Sequence, residues 1–265
     1  SGRFLARATG KVSGNVLLRR KQYRIADSQE ESLQFAKGFF FGKIFNCRCV
    51  LQRFLRDHGD KGVFQDVQDS VRFLSLQLQK VVNCQNVDIL RGIEGESARS
   101  YYGVIDNLVL EEKEVFRFSG RSRRPPLDPI NAILSFLYTL LAHDCSSALE
   151  TVGLDPQVGF LHRERPGRPS LALDLMEELR PYLVDRLTLS LINNRQVDAK
   201  GFITKESGGV IMNEEMRKMI ITSWQKRKQE EIMHPFLGEK IAIGLIPYAQ
   251  AMLLARHLRG DLDAY

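Results

Sequence analysis

Residues 28–59 read SQEESLQFAKGFFFGKIFNCRCVLQRFLRDHG. Apolar side chains recur there mostly at three- and four-residue steps: Leu33, Phe35, Phe39, Phe40, Ile44, Val50, Leu51, Phe54 and Leu55. That period predicts one long amphipathic helix. Ser28 with Glu31 three residues later fits a capping box, in which the hydroxyl and the carboxylate each satisfy an orphan amide of the first turn. Gly59 is the expected stop. The C-x-C of Cys47 and Cys49 falls inside this helix.

The helical period continues on both sides of several turns. Val63, Val67, Val71, Leu74, Leu78 and Val81 predict a second helix, and residues 87–105 a third. Residues 111–127, first charged and then SGRSRRPP, form the most linker-like stretch. Asp128 as N-cap and Pro129 at the first helical position then open a strongly apolar helix. Its core face is Ile130, Ile133, Leu134, Leu137, Tyr138 and Leu141. After a turn-rich segment at 153–169, another helix is expected from Ser170 to about Asn193, kinked at Pro181. Phe202-Ile203-Thr204 and Val210-Ile211-Met212 flank Ser207-Gly208-Gly209 and predict a small hairpin. Two further helices close the chain, the last ending at Arg256-His257-Leu258-Arg259-Gly260, where cations suit the negative end of the dipole and glycine the position after it. In front, Arg3–Thr9 reads as a short strand stopped by Gly10 and Gly14, and a lone strand must pair with something. The expectation is a mainly α chain, with a strand and linker over residues 1–25 and a helical domain over 26–265.

With 265 residues, 43% hydrophobic and 26% charged, the chain is long enough for a sizeable core and too apolar for wholesale disorder. No uninterrupted apolar run approaches the roughly 18 residues of a spanning helix. Residues 1–30 lack the apolar centre of a secretory signal. The chain is therefore expected to be cytoplasmic and off the membrane, its four cysteines reduced thiols outside any zinc-finger spacing. Lys and Arg number 38 against 32 Asp and Glu, a net charge of +6. The basic residues cluster at Arg19-Arg20-Lys21, Arg121 with Arg123-Arg124, Arg163 with Arg165 and Arg168, and Lys226-Arg227-Lys228. Any one cluster suits a solvated face, whereas four on one basic chain favour nucleic acid as partner.

A few polar groups stand in odd company. Glu94 lies in Ile93-Glu94-Gly95-Glu96, on a helix that otherwise alternates apolar and polar positions. His162 lies in the turn-prone GFLHRERPGR of residues 159–168. Asp174 and Glu177 follow, three apart and on one helix face. One imidazole with two or three carboxylates suits a hard divalent cation, oxygen ligands favouring Mg²⁺ and the nitrogen raising affinity for Mn²⁺. Arginines beside such a site would hold phosphate oxygens, and the ion would polarise a phosphodiester. A blander reading competes: Asp174, Glu177, Glu178 and Asp185 lie opposite Leu175, Met176, Leu179 and Leu183, as on the wet face of any amphipathic helix. The remaining histidines, His58, His143, His234 and His257, have less in their favour. No G-x-S-x-G elbow and no G-x-x-x-x-G-K-[ST] loop occurs, so neither a serine nucleophile nor nucleotide hydrolysis is expected.

Three segments together resemble a known family. Residues 90–102, LRGIEGESARSYY, resemble the G-x-E-G-x-A-A-x-x-Y-[YF] motif of the CRISPR-associated spacer integrase, the metal-dependent nuclease-integrase of adaptation. Residues 121–135, RSRRPPLDPINAILS, resemble its R-x-R-x-P-P-x-D-P-x-N-A-x-L-S segment. Gly159-Phe160-Leu161-His162 followed by residues 170–181, SLALDLMEELRP, resemble its G-F-L-H and S-L-x-x-D-L-M-E-E-F-R-P segments. All three stand in order with similar separations, the similarity continues to the end of the chain, and it is closest to the type I-C integrases.

The resemblance implies a helical catalytic domain preceded by a remnant strand of a β-rich N-terminal domain that is largely absent, and an end short of the family's C-terminal tail. By motif position Glu94 matches the first metal ligand, His162 the second and Glu177 the third, where many members carry Asp. Asp174 matches a neighbouring aspartate needed for activity without ligating metal, and Glu96 matches no role. The implied cofactor is Mg²⁺ or Mn²⁺. The implied reaction is attack by the 3′-hydroxyl of a captured DNA fragment on a phosphodiester at the edge of a CRISPR repeat, with nuclease activity on DNA beside it. Implied partners are DNA, a second copy in a homodimer, and a small ferredoxin-like CRISPR-associated subunit. Arg121, Arg123, Arg124, Arg163, Arg165 and Arg168 are expected to contact phosphate. Two other readings remain: a non-catalytic helical nucleic-acid-binding or adaptor domain, and a purely structural partner domain. Only the enzyme needs a divalent ion at Glu94, His162 and Glu177.

Overall fold

The computed structural model describes residues 15–162 and 164–263, apart from the side chain of Lys61. The strand expected at Arg3–Thr9 lies outside the described residues. Helix α1 spans Val16–Asp27, where a linker was expected as far as residue 25, and it packs on the long helix that follows. That helix, α2, runs 30 residues over Gln29–His58 and is about 45 Å long. Ser28 Oγ accepts the Glu31 amide at 3.3 Å, but the Glu31 carboxylate faces Lys21 Nζ at 3.5 Å, so half of the expected capping box forms. Gly59 has a φ of −58° and continues into a 3₁₀ turn, so it ends α2 without a left-handed cap.

Around α2 stand α3 (Gln65–Asn83), α4 (Val87–Gly103) and α6 (Ser170–Leu179), with α5 (Pro129–Val152) behind α6. The π-helical segment Arg180–Asp185 joins α6 to α7 (Arg186–Asn193). Pro181 lies in this segment and has no N–H to return to residue 177, so the expected kink is a widened turn. Strands β1 (Phe202–Thr204) and β2 (Val210–Met212) form the expected antiparallel hairpin, with Ile203 opposite Ile211. Helix α8 (Glu214–Gln229) follows. A second hairpin, β3 (Glu231–Met233) with β4 (Lys240–Ala242), was not foreseen. Helix α9 (Ile246–Arg259) closes the fold against α5 and ends at Gly260 in the left-handed conformation.

By length and composition α5 is apolar enough to cross a membrane. Its apolar residues Ile130, Ile133, Leu137 and Leu141 are nevertheless buried between α6 and α9, which makes it the core helix of this domain. Residues 111–127 are not a linker. Phe116 and Phe118 are buried, the Phe118 amide donates to Asp106 Oδ1 at 2.7 Å, and the Val210 amide donates to the Pro126 carbonyl at 2.8 Å. All four cysteines are free thiols, and burial pushes those of Cys47 and Cys145 up, away from thiolate.

A buried polar knot ties α4, α5 and the α6–α7 junction together. Asp185 accepts from Tyr101 Oη at 3.0 Å and from Tyr138 Oη at 2.5 Å, and Tyr138 Oη lies 2.9 Å from Tyr102 Oη. Burial raises the Asp185 carboxyl to about 6 against the pull of those hydroxyls and of Arg180 and Arg121. A carboxyl raised in the folded state holds its proton better there than in the unfolded chain. Its contribution is therefore greatest below about 4 and is lost as pH rises through about 6. Against Asp185→Asn, the wild type should gain about 1 kcal/mol of relative stability between pH 7.5 and pH 5, read from urea unfolding at both. A pH-independent difference would mean that Asp185 does not titrate in this window.

Candidate active site

The close crossing of α2 and α6 creates the site. A Cβ on Gly42 would lie 2.9 Å from Glu178 Cβ, so glycine at this position lets the two helices approach. The neighbouring Lys43 is thereby carried into the interior, where α4 brings Glu94 and α6 brings Glu177. Lys43 Nζ is hydrogen-bonded to Glu94 Oε1 and lies 2.8 Å from Glu177 Oε2. Three residues further on, where the π-helical segment begins, Arg180 Nη1 lies 3.0 Å from Glu177 Oε1. Arg180 also stacks on Tyr138, 5.0 Å from the ring centroid, which fixes its plane.

The blander reading of α6 fails here. Asp174, Glu177 and Asp185 are 0%, 3% and 3% exposed, as buried as Leu175, Met176 and Leu183 on the other side. These acids are turned inward: Glu177 meets cations from α2 and from the π-helical segment after α6, Asp174 meets backbone amides and His162, and Asp185 meets two tyrosine hydroxyls.

Asp174 is saturated. Its Oδ2 accepts the amides of Phe160 at 2.7 Å and Leu161 at 3.0 Å, and Oδ1 accepts the His162 amide at 3.0 Å and His162 Nδ1 at 2.6 Å. One carboxylate therefore folds the loop before α6 and orients the imidazole at its end. With Nδ1–H donating to Asp174, His162 Nε2 is left as the lone-pair nitrogen, 3.9 Å from Glu177 Oε1. Gly159 opens this loop where a Cβ would meet Asp174 Oδ2 at 2.7 Å and the Ser170 backbone at 2.8 Å. Gly159→Ala should cost about 1–3 kcal/mol in thermal or urea unfolding, because the loop must back away from its anchor. An unchanged midpoint would show that the loop has room to spare.

Electrostatics hold the centre charged. Burial alone would raise the Glu177 carboxyl, but Arg180 and Lys43 outweigh it and bring it down to about 2. Burial likewise opposes the Lys43 ammonium, and Glu177 and Glu94 reverse this and push its pKa above the ordinary lysine value. A cavity of about 190 Å³ opens onto these groups, lined by Phe40, Arg91, Glu94, Arg123, Leu161, His162, Glu177 and Arg180.

The structure thus brings Glu94, His162, Asp174 and Glu177 together. Of the expected phosphate-contacting arginines, Arg123 lines the cavity, Arg124 and Arg165 are exposed, Arg168 is half-buried and Arg163 lies outside the described residues. Arg121 turns inward: it donates to Asn131 Oδ1 at 2.5 Å and Ser135 Oγ at 3.1 Å and stacks on Tyr138 at 5.2 Å. Its guanidinium braces the loop onto α5 while remaining half-buried. Three cations at the site, Lys43, Arg91 and Arg180, were not singled out in the sequence. Arg91 and Arg180 sit three residues from Glu94 and Glu177, a spacing that shares a helix face. Nothing local marks Lys43.

Among the described residues no three His, Cys, Asp or Glu side chains are already gathered as a metal-ligand set. The chemistry of the donors nevertheless fits a hard divalent cation. Glu177 Oε2 is buried without a hydrogen bond of acceptable angle, two carboxylates and an imidazole nitrogen face one small space, and the Lys43 ammonium bridges the carboxylates as a cation would.

Comparison with known proteins agrees with the motifs. The family model described as "CRISPR associated protein Cas1" matches residues 1–226. The chain is 56% identical over 268 residues to "CRISPR-associated endonuclease Cas1 2" of Rhodospirillum rubrum, covering 100% of this chain and 77% of that one. A solved casposase bound to integration product superposes with a TM-score of 0.77 at 25% identity, covering 94% of this chain and 70% of that one. A chain of a partial Cas6-RT-Cas1–Cas2 complex superposes with a TM-score of 0.80 at 25% identity, covering 98% of this chain and 75% of that one. The buried carboxylate–histidine cluster therefore lies in a helical domain of a recognised lineage, and the chain belongs to the Cas1 family of CRISPR-associated proteins.

Proposed function

We propose that the chain is a divalent-metal-dependent DNA endonuclease and integrase that inserts new spacers into a CRISPR array. The observation that carries this reading is the convergence of Glu94, Glu177 and His162 Nε2 on one small cavity, with arginines at its wall. Glu94, His162 and Glu177 would hold Mg²⁺ or Mn²⁺. A bound ion there supplies Lewis-acid polarisation of the scissile phosphate and a lower pKa for the attacking oxygen.

The chain's own residues do the rest. Asp174 fixes the tautomer and direction of His162. Arg123 and Arg91, both at the cavity wall, take non-bridging phosphate oxygens, and Arg180 keeps Glu177 ionised beneath them. Arg124, Arg165 and Arg168 track the backbone further out, and Arg163 is assigned the same partner from the sequence. The nucleophile is the 3′-hydroxyl of a captured fragment in joining and water in cleavage. The likeness to a casposase bound to integration product supports a joining reaction, and the likeness to a chain of the partial Cas6-RT-Cas1–Cas2 complex supports a CRISPR-associated partner subunit. In this reading the subunit is small and ferredoxin-like, and a second copy of the chain completes a homodimer.

The test is cleavage of branched DNA by the purified chain in Mn²⁺ or Mg²⁺, against His162→Ala and Glu94→Ala. Both variants should lose at least about 100-fold in rate, and chelation should abolish wild-type activity. Cleavage that survives chelation or either substitution would remove the metal from the mechanism. DNA binding with no cleavage under any metal would leave a binding domain.

A further inference from the structure

The charge count at the centre of the site has a chemical consequence. Glu94 and Glu177 carry two negative charges, and Lys43 and Arg180 return two positive ones. Both oxygens of Glu177 are engaged, Oε1 by Arg180 at 3.0 Å and Oε2 by Lys43 at 2.8 Å, and Glu94 Oε1 is bonded to the same ammonium. The Lys43 side chain is 9% exposed, so water does not screen it from an incoming ion. A dication drawing on Glu94 and Glu177 would compete with Lys43 for the same oxygens and meet its charge at contact distance. The lysine has somewhere to go: its ammonium already lies 5.8 Å from the Phe40 ring centroid, and Phe40 lines the cavity.

We infer that Lys43 is a resident counter-cation of this site, which holds Glu94 and Glu177 together in the metal-free protein and must be displaced when a divalent ion enters. The inference rests on the metal reading above and goes beyond it by assigning a competitor to the ion. Metal loading is then an exchange of one cation for another, controlled from α2, and the site stays assembled between turnovers.

The test is titration of the chain with Mn²⁺ alone, by calorimetry and by the metal-induced rise in Tm, on wild type, Lys43→Met and Lys43→Arg, with His162→Ala as site control. Lys43→Met should melt lower without metal, bind Mn²⁺ at least about tenfold more tightly than wild type, and show the larger Mn²⁺-induced rise. Lys43→Arg keeps the charge and should bind no more tightly than wild type. A folded Lys43→Met that binds Mn²⁺ no better than wild type overturns the inference and makes Lys43 a support for the metal. A second measurement needs no variant: acylation of Lys43 in the wild type, mapped by mass spectrometry, should be suppressed without metal and appear with saturating Mn²⁺. Unchanged labelling under conditions where Mn²⁺ binds also overturns it. If the wild type takes up no ion that His162→Ala abolishes, the metal reading itself fails, an outcome distinct from a bound ion that ignores Lys43.

Discussion

Glu177→Ala is expected to destabilise the protein by about 3–5 kcal/mol, the largest effect of any single side-chain truncation in the site. The substitution leaves the Lys43 ammonium and the Arg180 guanidinium in the interior without the carboxylate that contacts both, Lys43 keeping Glu94 and Arg180 only the more distant charge of Asp185. Arg180 already has a buried Nε without a hydrogen-bond partner, so it has little else to turn to. Urea unfolding at neutral pH measures the loss, and Glu177→Gln, which keeps the shape, should fall by less than the alanine variant. A loss below about 1 kcal/mol would mean that water enters and screens the two cations. The pH dependence has a definite sign. A carboxyl held at about 2 in the folded protein contributes stability that is fully present above its ordinary value near 4.5 and is lost as pH falls from there toward 2. The difference between wild type and Glu177→Gln should therefore narrow only on the acid side of pH 4.5.

Asp174→Asn is the second large effect, and it separates support from ligation. The carboxylate accepts from four N–H groups, and an amide in its place presents a donor to at least one of them. A buried polar group turned against its partner costs about 1–3 kcal/mol, and the loop that carries His162 is released with it. Mn²⁺ affinity should fall by about 10–100-fold although Asp174 touches no metal in this reading, since lost orientation of a ligand histidine has that size of effect. Calorimetric titration beside a melting curve decides the matter. Full affinity in a destabilised variant would show that His162 needs no help from Asp174.

The order and kind of the helices were legible because their apolar periods are long: α2 to α5 and the α6–α7 pair stand where the three- and four-residue steps put them. The second hairpin was not: its strands are as short as those of the first, but the loop HPFLGE at 234–239 lacks the Ser-Gly-Gly turn that marked the first. The 111–127 stretch misled for a physical reason. Its composition is that of a tether, yet Phe116 and Phe118 anchor it in the core. At the site, Glu94, His162, Asp174 and Glu177 were singled out by their odd company and again by the motifs, while the helical wheel of α6 favoured a solvated face. A wheel shows which residues share a face and says nothing about which face meets solvent. Deciding that α6 turns its acids inward needed Lys43, more than a hundred residues earlier, and the bonds of Arg121 to Asn131 and Ser135 are likewise invisible until the loop is closed.

The segment between α5 and α6 joins two parts that differ in how they can change over time. From Gly159 to His162 every backbone amide after the glycine is tied to one carboxylate, so neither an inserted nor a deleted residue fits. From Glu164 to Gly167 the chain is exposed. Length and charge can drift in the second part, which bears Arg165 beside Arg163 and Arg168, while the first stays fixed. A lineage built on this arrangement could try new surface contacts generation after generation without disturbing the loop that aims His162.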